Sequence, residues 1–171
     1  VKGDLTVQKD ILLAEVECLG DIVVGGDIIG GYVKALKSIE VGSSGNIEGT
    51  RTRLKVLHHF EYDQLCKIRN QLMETSRQIQ QQSHDEKEVS EGSIDPLEEI
   101  NLQIEAIRQK LINLDTLVES VYFPHIKWNK GYYSGTFIKM RHLRTTFTSD
   151  NLIPIVASID KDSGLISTKT Q

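Results

Sequence analysis

A 17-residue repeat sets what this chain can fold into. Residues 3–19 and 20–36 align without a gap, so that Leu5 falls on Ile22, Val7 on Val24, Asp10 on Asp27, Ile11 on Ile28, Val16 on Val33 and Leu19 on Leu36. A further step of 17 places Ile39 and Val41 beneath Ile22 and Val24. A fixed period of this size marks stacked structural units, each covering the next. In an extended run such as Leu5-Thr6-Val7, the first and third side chains share a face. Three short strands with tight corners fit 17 residues, so the period predicts a parallel β-solenoid, with right-handed crossovers. Gly25-Gly26, Gly30-Gly31 and Gly42-Ser43-Ser44-Gly45 mark corners. Ile47 lies 19 residues after Ile28, which reads as a two-residue insertion at the last corner. Leu54-Lys55-Val56 reads as the start of one more coil. The chain opens at Val1, inside a repeat, which predicts that further coils precede it.

The pattern changes after Val56. In residues 60–82 the apolar positions are Leu65, Ile68, Leu72 and Ile79, with Thr75 filling the gap. In residues 96–121 they are Leu97, Ile100, Ile104, Ile107, Leu111, Leu114, Val118 and Val121, an unbroken 3-4 alternation. Sustained heptads of this kind predict an antiparallel coiled-coil helical hairpin. Asp95 suits an N-cap, with Pro96 at the first helical position and Glu98 and Glu99 in the first turn. Residues 83–95 are acidic and poor in apolar groups, and read as the exposed loop of the hairpin. At 1.5 Å per residue, the helices would form an arm on the order of 35 Å long. Leu102, Ile112 and Leu117 lie off the stripe, free to touch the solenoid or a partner.

Residues 121–171 return to β character, with β-branched and aromatic runs broken by Gly131, Gly135 and Pro154. Strands are predicted over 121–128, 136–148 and 152–159, and a turn over 160–164. A solenoid end needs a cap, and this segment is suited to extend or close it. The predicted architecture is mainly β: solenoid over 1–57, hairpin over 58–120 and capping segment over 121–171.

These features together resemble the flagellar assembly protein A family. The resemblance covers nearly the whole chain. It rests on the Gly-Asp repeats, on Lys37-Ser38-Ile39-Glu40-Val41-Gly42-Ser43-Ser44-Gly45, and most specifically on Gly49-Thr50-Arg51-Thr52-Arg53-Leu54-Lys55-Val56 before the hairpin. Family members commonly carry Tyr-Pro-Gly where this chain has Tyr122-Phe123-Pro124-His125. The resemblance implies a non-enzymatic, cytosolic bacterial protein acting in flagellar assembly or cell-pole organisation, and it supplies no catalytic residues.

The residues themselves point the same way. No nucleophile–base pair, paired carboxylate site or cofactor motif is apparent. Gly25-Gly26-Asp27-Ile28-Ile29-Gly30-Gly31 lacks the Lys-Ser/Thr ending of a phosphate loop. A hexapeptide acyltransferase would need a six-residue period and a His in a coil, and residues 3–56 hold no His. Asp4 with Asp21 and Asp10 with Asp27 would stack as solvated turn aspartates rather than as a calcium ladder. His58-His59 are adjacent and do not share a helix face, so no metal site is expected. Cys18 and Cys66 read as reduced thiols. No run of 18 apolar residues predicts a membrane span.

Charge is uneven. Residues 57–120 hold 6 basic and 13 acidic side chains, while 121–147 hold Lys127, Lys130, Lys139, Arg141 and Arg144 and no acid. The expected function is a structural or interaction module whose hairpin docks protein partners, including further copies of itself. The candidate partner-binding residues are Arg69, Glu105 and Arg108 on the polar flanks of the hairpin, with Lys139, Arg141 and Arg144 on a basic face. The alternative is a nucleic-acid- or anionic-surface-binding module using the basic aromatic segment 121–147.

Overall fold

A computed structural model describes residues 1–82, 96–121 and 123–171. The expected hairpin loop, the Asp95 cap and Tyr122 lie outside the described residues. The chain divides into two compact units, Val1–His59 with Ser120–Gln171, and Phe60–Glu119.

The first unit is built from the repeat. Its first line forms β1 (Leu5–Val7), β2 (Ile11–Leu12) and β3 (Glu15–Cys18), and its second forms β4 (Ile22–Val24), β5 (Ile28–Ile29) and β6 (Gly31–Ala35). The third forms β7 (Ser38–Ser44) and β8 (Thr52–Val56). Strands β9 (His125–Tyr132), β10 (Phe137–Met140), β11 (Leu143–Thr146), β12 (Ile155–Ile159) and β13 (Ile166–Thr170) complete it. In one sheet β1, β4, β7 and β9 pair in parallel, stacking Leu5, Ile22, Ile39 and Ile126 in one column and Val7, Val24, Val41 and Trp128 in the next. In the other, β3, β6, β8 and β10 pair in parallel and stack Val16, Val33, Leu54 and Ile138. Ile22, Ile39, Val41, Val33, Leu54, Ile126, Trp128 and Ile138 have no exposed surface. The columns are the core.

The sheets are mixed rather than parallel throughout. β12 runs antiparallel to β9 and β13, and β11 runs antiparallel to β10. The closing segment therefore does two things: β9 and β10 continue the parallel ladders, and β11 to β13 turn back on them. Its first strand starts at His125 rather than Val121.

The insertion falls elsewhere than the repeat suggested. Ile28 pairs with Ser44, and Ile47 is 88% exposed. Val16 pairs with Val33 but Val33 with Leu54, so the extra residues lie after Gly45, where Asn46 accepts from Gly49 N–H and, through its side chain, from Thr50 N–H. The polar residue in an aliphatic column has a reason. Ser44 Oγ accepts the Trp128 Nε1–H at 2.7 Å, and a buried indole N–H needs such a partner.

The stacked aspartates do more than face water. Asp4 Oδ1 accepts the Asp21 N–H at 2.9 Å, and Asp10 Oδ1 accepts the Asp27 N–H at 2.7 Å. Asp27 Oδ1 in turn accepts the Ser43 N–H at 2.8 Å. Each carboxylate bonds the backbone of the next coil, so the Asp columns hold the corners in register. Asp27→Ala is expected to lower the unfolding free energy by about 1–2 kcal/mol. Urea denaturation checks this, and an unchanged midpoint would remove the ladder from the account.

The second unit comprises α1 (Phe60–Gln82) and α2 (Pro96–Glu119). A depression beside the start of α1 is shared with the second half of α2 (Phe60, Leu65 and Ile68 with Lys110 and Leu114). A second joins Gln80 to Leu97, Asn101 and Leu102. The helices therefore run antiparallel. On α2 the sheltered stripe is the 3-4 series from Leu97, with Leu111 and Val118 buried. On α1 the sheltered positions are Tyr62, Leu65, Arg69, Leu72, Ser76 and Ile79, with Phe60 and Cys66 beside them, while Ile68 and Thr75 are exposed. Leu65, Leu72 and Ile79 belong to both phases. Tyr62 decides between them, because it extends the series through Arg69 and Ser76 at 3-4 spacing.

Candidate functional site

The outward face of the second sheet gathers the charge. Val33, Leu54 and Ile138 point inward, so alternate residues of β6, β8 and β10 point outward. The register sets Glu15, Tyr32, Arg53, Phe137 and Thr146 in one row, and Glu17, Lys34, Lys55, Lys139 and Arg144 in the next. Adjacent members of a row lie about 4.8 Å apart. Arg144 is exposed, and Tyr32, Arg53, Lys55, Phe137 and Lys139 are half-buried.

The two rows change character along their length. At the β3 end Lys34 donates to Glu15 at 2.7 Å and also to Glu17. Burial alone would lower the Lys34 ammonium, but these bonds outweigh it and hold it above the ordinary Lys range. The same bond holds the Glu15 carboxyl low. Tyr32 collects three cations over its ring, with Arg53 at 4.6 Å, Lys55 at 5.4 Å and Lys34 at 5.6 Å from the centroid. Such contacts hold guanidinium and ammonium groups flat against the sheet. Arg53 and Lys55 are followed in their rows by Phe137 and Lys139, and these by Thr146 and Arg144. Like charges directly opposite on neighbouring strands repel, and Lys55 with Lys139 and Lys139 with Arg144 are such pairs.

The basic segment 121–147 is divided between the two sheets. Lys127 donates to Glu40 at 2.7 Å and Lys130 to Asp27 at 3.4 Å, both on the first sheet. The Lys127 bond holds the Glu40 carboxyl below the usual range. Lys139 and Arg144 stand opposite one another on the second sheet. Arg141 sits in the two-residue turn between β10 and β11 at φ 56°, and its N–H donates to Val56 O at 3.3 Å. Three of its aromatics turn inward: Trp128, Tyr132 and Phe147 pack on each other, with the Tyr132 and Phe147 rings stacked at 3.8 Å, whereas Phe123 is 71% exposed. Tyr32 and Phe137 are the aromatics that share a row with the cations.

The hairpin candidates separate too. Arg69 is in the α1 seam and not on a polar flank. Its Nε is buried without a hydrogen-bond partner among the described residues, and its terminal NH2 group reaches Asn70 Oδ1 at 3.4 Å. Glu105 and Arg108 are exposed and form a loose 3.8 Å pair on α2, with Gln109 donating to Glu105 at 2.9 Å. Arg53, Lys55 and Lys34 were missed as site residues. The alternation Arg53-Leu54-Lys55-Val56 carried the signal, but placing it beside Lys139 needed the strand register.

Among the described residues no group of three His, Cys, Asp or Glu side chains is placed to hold a metal ion. Cys18 and Cys66 are both free thiols. No described helix is long and apolar enough to cross a membrane. A family model described as the flagellar assembly protein A beta solenoid domain matches residues 1–163. No curated protein and no solved structure matches the chain.

Proposed function

Because the chain belongs to the flagellar assembly protein A β-solenoid family, we propose that it serves flagellar assembly as a non-enzymatic interaction scaffold. In this reading the right-handed solenoid is a rigid support, and the helical pair is a coiled-coil arm that docks protein partners. The protein acts in the cytoplasm, at the cell pole.

One observation carries the proposal. Ile39 pairs directly with Ile126 and Leu54 with Ile138, so both ladders continue as though Phe60–Glu119 were absent. The β fold does not need the helices for its core, yet it carries them as a separate compact unit. A separable unit of this kind is suited to recognition.

The test is replacement of residues 60–119 by a short Gly-Ser loop in the full-length protein expressed by the host bacterium. The expected result is loss of swimming and of surface flagella at unchanged protein abundance. Normal flagellation at equal abundance would refute the docking role.

A further inference from the structure

We propose that the outward face carrying Arg53, Lys55, Lys139 and Arg144 receives the outer stripe of α2 from a second copy of this chain. That stripe runs Glu98, Leu102, Glu105, Gln109 and Ile112 at 4-3 spacing, opposite in phase to the buried one. Glu98 and Glu105 are exposed, Leu102 is 67% exposed and Ile112 is 47% exposed.

Three observations favour this occupant. The first is charge. Residues 57–120 carry a net −7, whereas four cations of the face stand on neighbouring strands. Complementary potentials of this sort select and steer partners. The second is spacing. Glu98 and Glu105 are two helical turns apart, about 10 Å. Lys55 and Arg144 are two strand steps apart, also about 10 Å. The third is the apolar element between the charges. Leu102 lies between the two carboxylates, and Phe137 stands in the row beside Lys139. The present partners of Glu105 are weak competitors, since the Arg108 pair is exposed and 3.8 Å long and the 2.9 Å bond from Gln109 comes from a neutral amide.

The inference rests on the docking role of the helices and names one partner for them, but it can fail separately. Sedimentation of the intact chain would be compared at about 50 mM and about 500 mM salt, where screening lengths differ severalfold. The expected result is self-association at low salt that weakens at least about tenfold at high salt. Lys139→Glu with Arg144→Glu, and Glu98→Lys with Glu105→Lys, each abolish it alone. An equimolar mixture of the two restores it, because a reversed face then meets a reversed stripe. Circular dichroism confirms that both variants fold. A wild-type chain that stays monomeric at low salt overturns the proposal, as does self-association that both variants retain. A monomer that retains a 20-nucleotide single strand or phosphatidylserine vesicles also overturns it, and assigns the face to that polyanion. A monomer whose hairpin is still required for flagellation leaves the docking role standing and removes only this partner.

Discussion

Trp128→Ala is expected to lower the unfolding free energy of the β unit by about 3–5 kcal/mol, the range for deleting a fully buried large side chain. Trp128 has no exposed surface and continues the column of Val7, Val24 and Val41 into β9. Its ring meets Tyr132 edge-on at 5.3 Å and Phe147 at 5.9 Å, so truncation opens a cavity against two aromatics as well as the aliphatic column. Ser44, which interrupts a neighbouring column, then loses the indole donor. Trp128→Phe separates the two effects. It keeps most of the volume and loses the hydrogen bond, for an expected cost of about 1–3 kcal/mol. Urea denaturation followed by circular dichroism is the measurement, because the chain has one Trp and the variants lose its fluorescence. A loss below about 1 kcal/mol for the Ala variant would mean that β9 is not integral to the stacked core.

Arg69→Leu is expected to stabilise the helical unit by about 1–3 kcal/mol, the penalty attached to an unsatisfied buried donor. Arg69 occupies a seam position between Leu65 and Leu72, with its Nε buried and without a hydrogen-bond partner among the described residues. Leu fills the same position with no polar atom and similar helix propensity. The gain would appear as a higher midpoint of the helical signal on heating. A lower midpoint would show that the guanidinium has a compensating interaction at this position. Polar seam residues are known to specify register in paired helices at a cost in stability. Arg69 and Ser76 would then fix how α1 lies along α2, and the Leu variant would gain stability while losing that definition.

What was readable in the chain divides along physical lines. The columns through Ile22 and Val24 were legible because a repeat puts equivalent residues at equal intervals, and parallel pairing preserves the interval. Ser44 was not, because its place in the core depends on Trp128, more than eighty residues later. Ile47 looked like the better column member by hydrophobicity alone. The α1 stripe was half legible: Leu65, Leu72 and Ile79 serve either phase, and an exposed Ile68 is as apolar in sequence as a buried one. The cation rows were hidden because their members come from β6, β8, β10 and β11. Lys139 and Arg144 were recognised as basic, but their neighbours Arg53 and Lys55 lie beyond the whole helical unit in sequence.

The ladders that skip the helices also bear on the order in which the chain acquires structure. Pairing Leu54 with Ile138 closes a span of 84 residues, of which Phe60–Glu119 supplies 60. Loop closure becomes more unfavourable as the logarithm of the free length. If the two helices meet first, the start of α1 and the end of α2 come together and the span left to search falls to the remainder. The reduction is worth about 1 kcal/mol of chain entropy, a several-fold effect on the closing rate. A refolding rate indifferent to melting of the helices would contradict that order. The inserted pair then acts as a splint: a local, fast-forming element that brings the two halves of the β unit within reach of each other before either column is complete.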